Sequence, residues 1–493
     1  MNTEQEVVVG DCLDLMKDIA DCTIDAIVTD PPYGLSQDPD VVKVLTCWLA
    51  GNVYVHHVSG FMGKVWDSFV PGPEYWREAY RILKPGGNLF AFSGTRTFDL
   101  LSIAIRLAGF QARDSIADLM NSVGLAWVYG QGFPKSLSVE KAIEAYLVRG
   151  SSRPEDILNG VGEMEITQPE ARVWSGYGTS LKPSWEPILC FRKPIENTVA
   201  ENVLKYGTGG LNIDACRLQT TDNLNGGAYS EGGRGSLPGD ERDPVAAGMF
   251  GEGGGRLPGQ FVQSLGRWPA NLILSHFSQC VPDGACATGC PVAEIDQQSG
   301  VKRAGGHPKR RGADDGSRVT YGVFGGYENT KMGVQNTVGG ASRFFATFPF
   351  KYSKKASRKE REAGCDVLPA RSGAEAVDRE EGSAGMKSPR AGAGRTAEKV
   401  RNFQPTVKPI DVMRWLVRLA VRPGGLVLDP FAGSGTTGIA CAFEGMSCLL
   451  VEREPDYAEI AKARIAYWRE KIDEDREKQL TQTHFSGSLD PVG

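Results

Sequence analysis

The sequence predicts an α/β fold: a doubly wound sheet split by a large irregular insert. Two observations carry that expectation. Short apolar runs alternate with amphipathic helical stretches from residue 7 to 109 and again after residue 406, whereas residues 195–400 show little periodicity. Glycine marks the same division. Of the 493 residues 61 are Gly, and much of that excess falls between Gly207 and Gly340, where loops rather than packed strands are expected.

Taken in order, Val7-Val8-Val9 reads as a short buried strand that Gly10-Asp11-Cys12 turns into a helical stretch over residues 13–19. The next strand is Ile24–Thr29. Residues 73–83 have the spacing of an amphipathic helix opened by proline, Lys84-Pro85-Gly86-Gly87 is a turn, residues 88–93 form a strand, and residues 97–108 form a helix closed by Gly109. From Ala126 to Ser136 the pattern is irregular. A helix over residues 139–148 and a strand over 186–192 close this half. Within the insert, residues 218–258 and 365–400 have the composition of mobile loops. Regular structure resumes with a helix over 410–420, strands at 426–428 and 448–451, a helix over 437–443, and a charged helix from Pro455 to Gln479.

A chain this long predicts two or three lobes with ample core. Its formal charge of −5 does not point to nucleic acid, but residues 301–362 hold 14 Lys or Arg against 5 Asp or Glu, a local net of +9. Such a stretch is the footprint of a polyanion-binding face. The 11 cysteines follow no secretory spacing, no charged-then-apolar leader opens the chain, and no run approaches the roughly 18 apolar residues of a membrane span. The expectation is a soluble, cytoplasmic protein with no membrane partner.

Two strands end in motifs that carry chemistry. Ile24–Thr29 runs into Asp30-Pro31-Pro32-Tyr33, and Leu426-Val427-Leu428 runs into Asp429-Pro430-Phe431-Ala432-Gly433-Ser434-Gly435-Thr436-Thr437. In open α/β sheets the carboxyl ends of strands are where ligands bind. The first motif supplies a carboxylate, a carbonyl stiffened by proline and an aromatic face, a set that can accept the two hydrogens of a flat exocyclic amine and stack its ring. Accepting both hydrogens tilts the nitrogen towards tetrahedral geometry and aims its lone pair at a methyl donor, so neither metal nor covalent nucleophile is needed. The second motif matches G-x-G-x-x-G through Gly438, with Glu452 at the end of the next strand, which leaves a dinucleotide enzyme open. Asp429 beside the turn disfavours a pyrophosphate and suits a cationic cofactor such as S-adenosylmethionine. No Lys follows Gly435, which excludes a Walker-type loop. Glu452 is placed to accept hydrogen bonds from ribose hydroxyls.

On these residues the chain resembles the DNA amino-methyltransferases of the beta arrangement, in which D-P-P-Y precedes the target-recognition region and the D-P-F-x-G-S-G-T-T turn comes last. The resemblance spans residues 1–195 and 400–470. It implies a Rossmann-like methyltransferase sheet, permuted, with a catalytic half over 1–194, a loop-rich target-recognition insert over 195–400, a cofactor-binding half over 401–475 and a flexible tail over 476–493. It also implies that Asp11 and Cys12 lie against the cofactor adenine, and that Lys408, in Thr406-Val407-Lys408-Pro409, contacts the methionine end. Phage-borne and prophage-like members are similar as well, through residues 63–67, 127–136, 182–187 and 267–271, although this chain carries extra residues around 117–126. The implied function is site-specific methylation of N6 of adenine in double-stranded DNA by base flipping and direct transfer from S-adenosylmethionine. N4 of cytosine is the alternative, adenine being preferred because D-P-P-Y leans to adenine and S-P-P-Y to cytosine. Enzymes acting on protein glutamine carry N-P-P-Y after the glycine turn, the reverse order. A catalytically silent DNA-binding module is the reading from another class, against which every chemical residue is intact. A cognate restriction endonuclease and oligomerisation are left open.

Two features stand apart. His276, Cys280, Cys286 and Cys290 form H-x3-C-x5-C-x3-C, which offers soft ligands to zinc or, alternatively, a set of buried thiols. The run from Arg343-Phe344-Phe345 through Lys351-Tyr352 to Lys354, Lys355, Arg358 and Lys359 mixes rings with cations suited to phosphate, or is a solvated face. The C-terminal helix, with Tyr457, Ile460, Ala461, Ile465 and Trp468 on one side, is expected to pack on the sheet.

Overall fold

The computed structural model describes residues 3–34, 38–58, 65–113, 125–128, 138–150, 164–179, 185–218, 267–270, 272–275, 280, 285–288, 290–304, 337–344, 346–348, 356–372, 374–375 and 400–486. The chain forms two compact units, one of Met1–Asn212, Asn271–Pro291 and Phe348–Gly493, the other of Ile213–Ala270 and Val292–Thr347.

The first unit is built on strands β1 (Gln5–Val9), β2 (Ile24–Thr29), β3 (Leu83–Phe92), β4 (Gln111–Ala112), β5 (Leu125–Val128), β6 (Trp185–Arg192), β7 (Leu272–Ser275), β8 (Leu426–Asp429) and β9 (Ser447–Glu452). Their order in the sheet is β1-β9-β8-β2-β3-β6-β5-β7, with β4 beside β6. The strands from β1 to β3 are parallel, and β6 runs antiparallel to β3, β4 and β5. The last two strands of the chain thus sit between its first two, which is the permuted arrangement. Every residue of β2 is buried, as a strand covered on both faces requires. From β8 the chain continues to β9 on one side, and from β2 to β3 on the other. The carboxyl ends of β8 and β2 therefore flank the point where strand order reverses.

Helices α1 (Cys12–Lys17), α2 (Val41–Leu49), α3 (Pro73–Ile82) and α4 (Phe98–Leu107) bury Met16, Trp48, Trp76, Ile82, Leu101 and Ile105 in one core with Ile27 and Leu89. After α5 (Val139–Arg149) and α6 (Val199–Tyr206), the short helix α7 (Arg358–Glu362) precedes α8 (Ile410–Ala420), α9 (Thr436–Glu444) and α10 (Pro455–Ser486). Leu416, Ile439 and Ile460 of these last three are buried. The fold is the doubly wound α/β class that the alternation predicts.

Several elements differ from expectation. The Lys84–Gly87 turn is absorbed into β3 as a register shift against β2, and Lys84 Nζ reaches across it to Asp25 Oδ1 at 2.7 Å. Residues 125–128, read as the start of an irregular stretch, pair with β6 and β7. Helices α2 and α6 were not anticipated; each is capped by a side chain, Asp40 and Thr198 respectively. Helix α10 runs beyond Gln479 to Ser486. Of the two stretches read as mobile loops, residues 219–258 and 376–399 lie outside the described residues, but Cys365 is fully buried against Tyr457 and Ile460. No described helix is long and apolar enough to cross a membrane.

In the second unit, the described residues include the bridge Leu218 to Arg267, Arg217 stacked 5.0 Å over the Trp268 ring, and an antiparallel pair of strands, Lys302–Ala304 and Thr337–Gly339. The Asp296 carboxylate fixes the turn after them, accepting from Ser342 N and Oγ at 2.7 Å each.

Candidate active site

A side-chain hydrogen bond ties the strand that feeds the first motif to the start of the second. Thr29, the last residue of β2, donates its hydroxyl to Asp429 Oδ1 at 2.6 Å, although the two lie 400 residues apart in sequence. Asp429 Oδ1 also accepts from Phe431 N at 3.1 Å, and Oδ2 accepts from Thr437 Oγ1. Both carboxylate oxygens thus hold the turn together, where the sequence suggested a carboxylate turned to a ligand. Burial lifts this group to about 6 despite those donors.

The Asp30-Pro31-Pro32-Tyr33 loop is held from several elements. Asp67 Oδ1 accepts from the backbone N–H groups of Tyr33 and Gly34, at 3.0 and 3.1 Å, and Thr97 Oγ1 donates to Tyr33 O at 2.6 Å. Gly34 turns the chain at φ +64°, where an added Cβ would stand 3.0 Å from Phe69 Cα. Inside the loop, Lys408 Nζ lies 2.7 Å from Asp30 Oδ2, 3.0 Å from Tyr33 Oη and 3.3 Å from Glu186 Oε2. Tyr33 Oη in turn donates to Glu186 Oε2 at 3.1 Å. Among the described residues, nothing donates a hydrogen bond to the buried Asp30 Oδ1. Two carboxylates thus share one ammonium. Burial opposes the Lys408 charge, but Asp30 and Glu186 outweigh it and hold Lys408 above its ordinary range. Burial also raises Asp30, more than Lys408 lowers it, and pushes the Tyr33 hydroxyl well up. Lys408, implied by resemblance to meet a cofactor, is placed here against Asp30.

The glycine turn leads from β8 into α9. Glu452, at the end of β9, accepts from Gly433 N at 2.7 Å through Oε2 and from Glu454 N at 2.9 Å through Oε1, and burial raises it to about 7. No ion pair reaches Asp429 or Glu452 among the described residues. Gly435 adopts φ +76°, and a Cβ there would meet Ala461 Cβ at 2.9 Å and Ile465 Cδ1 at 3.1 Å on α10. From the same helix, fully buried Arg464 donates to Ser434 O at 2.6 Å, Ser434 Oγ at 2.9 Å and Thr436 Oγ1 at 3.2 Å. The Phe431 ring lies 6.3 Å from Tyr75 and 6.4 Å from Trp76. Across the sheet edge, Asp11 caps α1 by accepting from Leu13 N at 2.9 Å, Cys12 is buried with its thiol pushed up by burial, and Gly10 N donates to Glu452 O at 3.0 Å.

The structure therefore gathers the predicted residues in one unit at the carboxyl ends of β1, β9, β8 and β2. It adds Glu186, Asp67 and Arg464, which sequence reasoning missed. Glu186 stands at the opening of a predicted strand, but only the antiparallel placement of β6 beside β3 brings it to Tyr33. Of the cysteine-rich motif, Cys280, Cys286 and Cys290 come together; His276 lies outside the described residues. Of the basic run, Arg358 and Lys359 sit on α7, while Lys351, Lys354 and Lys355 lie outside the described residues.

A family model described as DNA methylase matches residues 346–463, the stretch holding Lys408, the glycine turn and Glu452. The type II methyltransferase M.SmaI of Serratia marcescens is 48% identical over 59 residues, covering 12% of this chain and 20% of that protein. M.HindIII of Haemophilus influenzae is 25% identical over 210 residues, covering 38% and 59% respectively. The chain thus matches between a fifth and three fifths of these two relatives. Among solved structures, the PvuII DNA methyltransferase (cytosine-N4-specific) is 12% identical over 96% of this chain and 92% of that one, with a TM-score of 0.37.

Proposed function

We propose that this chain is an S-adenosylmethionine-dependent DNA amino-methyltransferase that methylates N6 of adenine at specific sites in double-stranded DNA. The observation that carries the reading is Asp30 Oδ1, a buried carboxylate oxygen to which no described residue donates, at the point of strand reversal and one residue from the Thr29–Asp429 bond. An acceptor removed from water without a partner costs about 1–3 kcal/mol, and an exocyclic amine would relieve it. The match of the second half to a DNA methylase model and the identity to type II methyltransferases support the class.

In this reading the target base is flipped out of the duplex and stacked by Tyr33, whose hydroxyl is tied back to Glu186 and Lys408. Asp30 accepts one amine hydrogen and the Pro31 carbonyl the other, which directs the nitrogen lone pair. Burial raises Asp30, so it is also suited to take up the proton that the nitrogen sheds after methylation. Lys408 keeps the pair of carboxylates from repelling each other. Asp429 braces the glycine turn through both oxygens, while buried Glu452, raised to about 7 and without an ion pair among the described residues, fits a ligand bearing hydroxyl donors. When bound, S-adenosylmethionine supplies the methyl group from its sulfonium. We assign DNA reading to residues 195–400, and the choice of adenine to the aspartate of the D-P-P-Y motif.

The test is incubation of purified protein with radiolabelled S-adenosylmethionine and mixed-sequence DNA, followed by nucleoside mass spectrometry. N6-methyladenine is expected, and Asp30→Ala should lose at least about 100-fold in turnover while binding cofactor nearly as before. N4-methylcytosine would overturn the choice of base and leave the class standing. DNA binding with neither product would favour the silent module.

A further inference from the structure

We propose that Cys280, Cys286 and Cys290 bind one zinc ion that staples the segment following β7. Their three Sγ atoms all lie within 4.8 Å of one another. Zinc–thiolate bonds of about 2.3 Å in a tetrahedron set sulfurs roughly 3.8 Å apart, so a small inward shift of the side chains suffices. None of the three cysteines is held in a disulfide in the structure. Cys280 is 5% exposed and Cys290 fully buried, while Cys286 is the partly exposed corner.

The backbone around the cluster is arranged for thiolate sulfur. Ala287 N donates to Cys280 Sγ at 3.3 Å, and the turn that places it is closed by Cys290 N donating to Ala287 O at 3.1 Å. An N–H directed at a ligating sulfur disperses thiolate charge, the role that outer hydrogen bonds play around metal ligands. Cys290 then enters the helix Pro291–Ser299 directly. Residues 276–290 consist largely of Cys, Gly, Ala and polar residues, with Phe277 and Val281 as their large apolar side chains. A segment that cannot bury a core of its own is the kind that a structural metal holds. On binding, each thiol gives its proton to solvent as its Zn–S bond forms. Three thiolates fill three corners of the tetrahedron and a further donor completes it.

The experiment is metal analysis of the full chain, purified under reducing conditions without chelator and then reconstituted with zinc sulfate. About one zinc per chain is expected, falling to near zero in Cys280→Ser/Cys286→Ser/Cys290→Ser. Cobalt(II) substitution of the wild-type chain should give thiolate charge-transfer absorption, a readout independent of whether the triple variant folds. Cys286→Ser alone, at the partly exposed corner, should weaken zinc in competition with a chromophoric chelator. Absence of zinc after reconstitution, full zinc retained by the triple variant, cobalt bound without thiolate absorption, or a disulfide among the three in non-reduced peptide mapping would each overturn the proposal.

Discussion

Lys408 Nζ stands 2.7 Å from Asp30 Oδ2, a contact between residues 378 apart in sequence that closes the first motif with a side chain from the second half of the chain. Because Glu186 shares the same ammonium at 3.3 Å, the pocket carries two carboxylates and one fixed cation. In a buried site the loss of one member is felt by all the others.

Glu186→Gln tests that coupling. The amide keeps an oxygen for the Tyr33 hydroxyl but removes a charge from Lys408, which then pairs with Asp30 alone. Turnover should fall by roughly tenfold, as expected of a positioning group worth about 1.4 kcal/mol, with S-adenosylmethionine affinity unchanged. The pH profile should shift too, since Glu186 raises Asp30 and its neutralisation lets Asp30 ionise at lower pH. Steady-state kinetics across pH would reveal it. An unmoved profile with unmoved turnover would reduce Glu186 to a wall of the pocket.

The placement of both motifs at strand ends is legible in the sequence, for a physical reason. Parallel strands covered on both faces appear as unbroken apolar runs, so the ends of Ile24–Thr29 and Leu426–Asp429 announce where loops and ligands meet. What escaped depends on pairing over long sequence distances. Glu186 becomes a neighbour of Tyr33 only through the register Phe92 to Ile188, and Arg464 reaches the glycine turn only once α10 has folded back on α9. Helix α6 is a different kind of miss. Its capping box, Thr198 with Glu201, is a local signal, but it lies at the start of the stretch 195–400, whose low periodicity argued for irregular structure.

Gly435→Val separates turn packing from ligand contact. A branched side chain at a glycine turn that approaches a ligand closely is expected to clash with that ligand. The structure puts Ala461 and Ile465 in the way and holds Gly435 at φ +76°. Backbone strain of about 1–3 kcal/mol and overpacking of similar size should add. Thermal unfolding without cofactor should therefore shift down by several degrees or more. A variant that melts like wild type yet fails to bind S-adenosylmethionine in calorimetry would restore the ligand-contact explanation.

Burial lifts Glu452 to about 7 and Asp429 to about 6, from ordinary values of 4.5 and 3.8. Between those limits the folded chain keeps protons that the unfolded chain has lost, so these two groups make stability fall as pH rises through the window. A ligand bringing hydroxyl donors and positive charge to Glu452 favours its ionised form and must expel its proton as it binds. Affinity for S-adenosylmethionine should accordingly increase from about pH 5.5 to about 7.5 and then level off. Calorimetry in buffers of different ionisation heat should show proton release near the middle of that range, and Glu452→Gln should remove most of it. Affinity that is flat or falls with pH would mean that Glu452 does not face the cofactor.

The basic stretch divides into two roles that mutation can separate. On α7, Glu360 Oε1 accepts from Ile410 N at 2.8 Å and Arg361 donates to Gln404 O at 2.7 Å, so this side of the helix supports the chain leading to Lys408. Arg358 and Lys359 precede that support, and Lys354 and Lys355 lie just before the helix in sequence, outside the described residues. Neutralising Lys354, Lys355, Arg358 and Lys359 to Gln together should weaken DNA binding about equally on every sequence. Each lost phosphate contact should lower the log–log salt slope by up to about 0.9. Cofactor affinity should stay where it was. Arg361→Ala should do the reverse, lowering melting temperature and turnover through the loosened 402–408 loop while leaving the salt slope alone. Fluorescence anisotropy across a salt series measures the slope, and sequencing of modified bases reports the methylated site. An unchanged slope in the quadruple variant would make this run a solvated face, and a changed methylation site would make it a reader of bases; either outcome removes the assignment to phosphate.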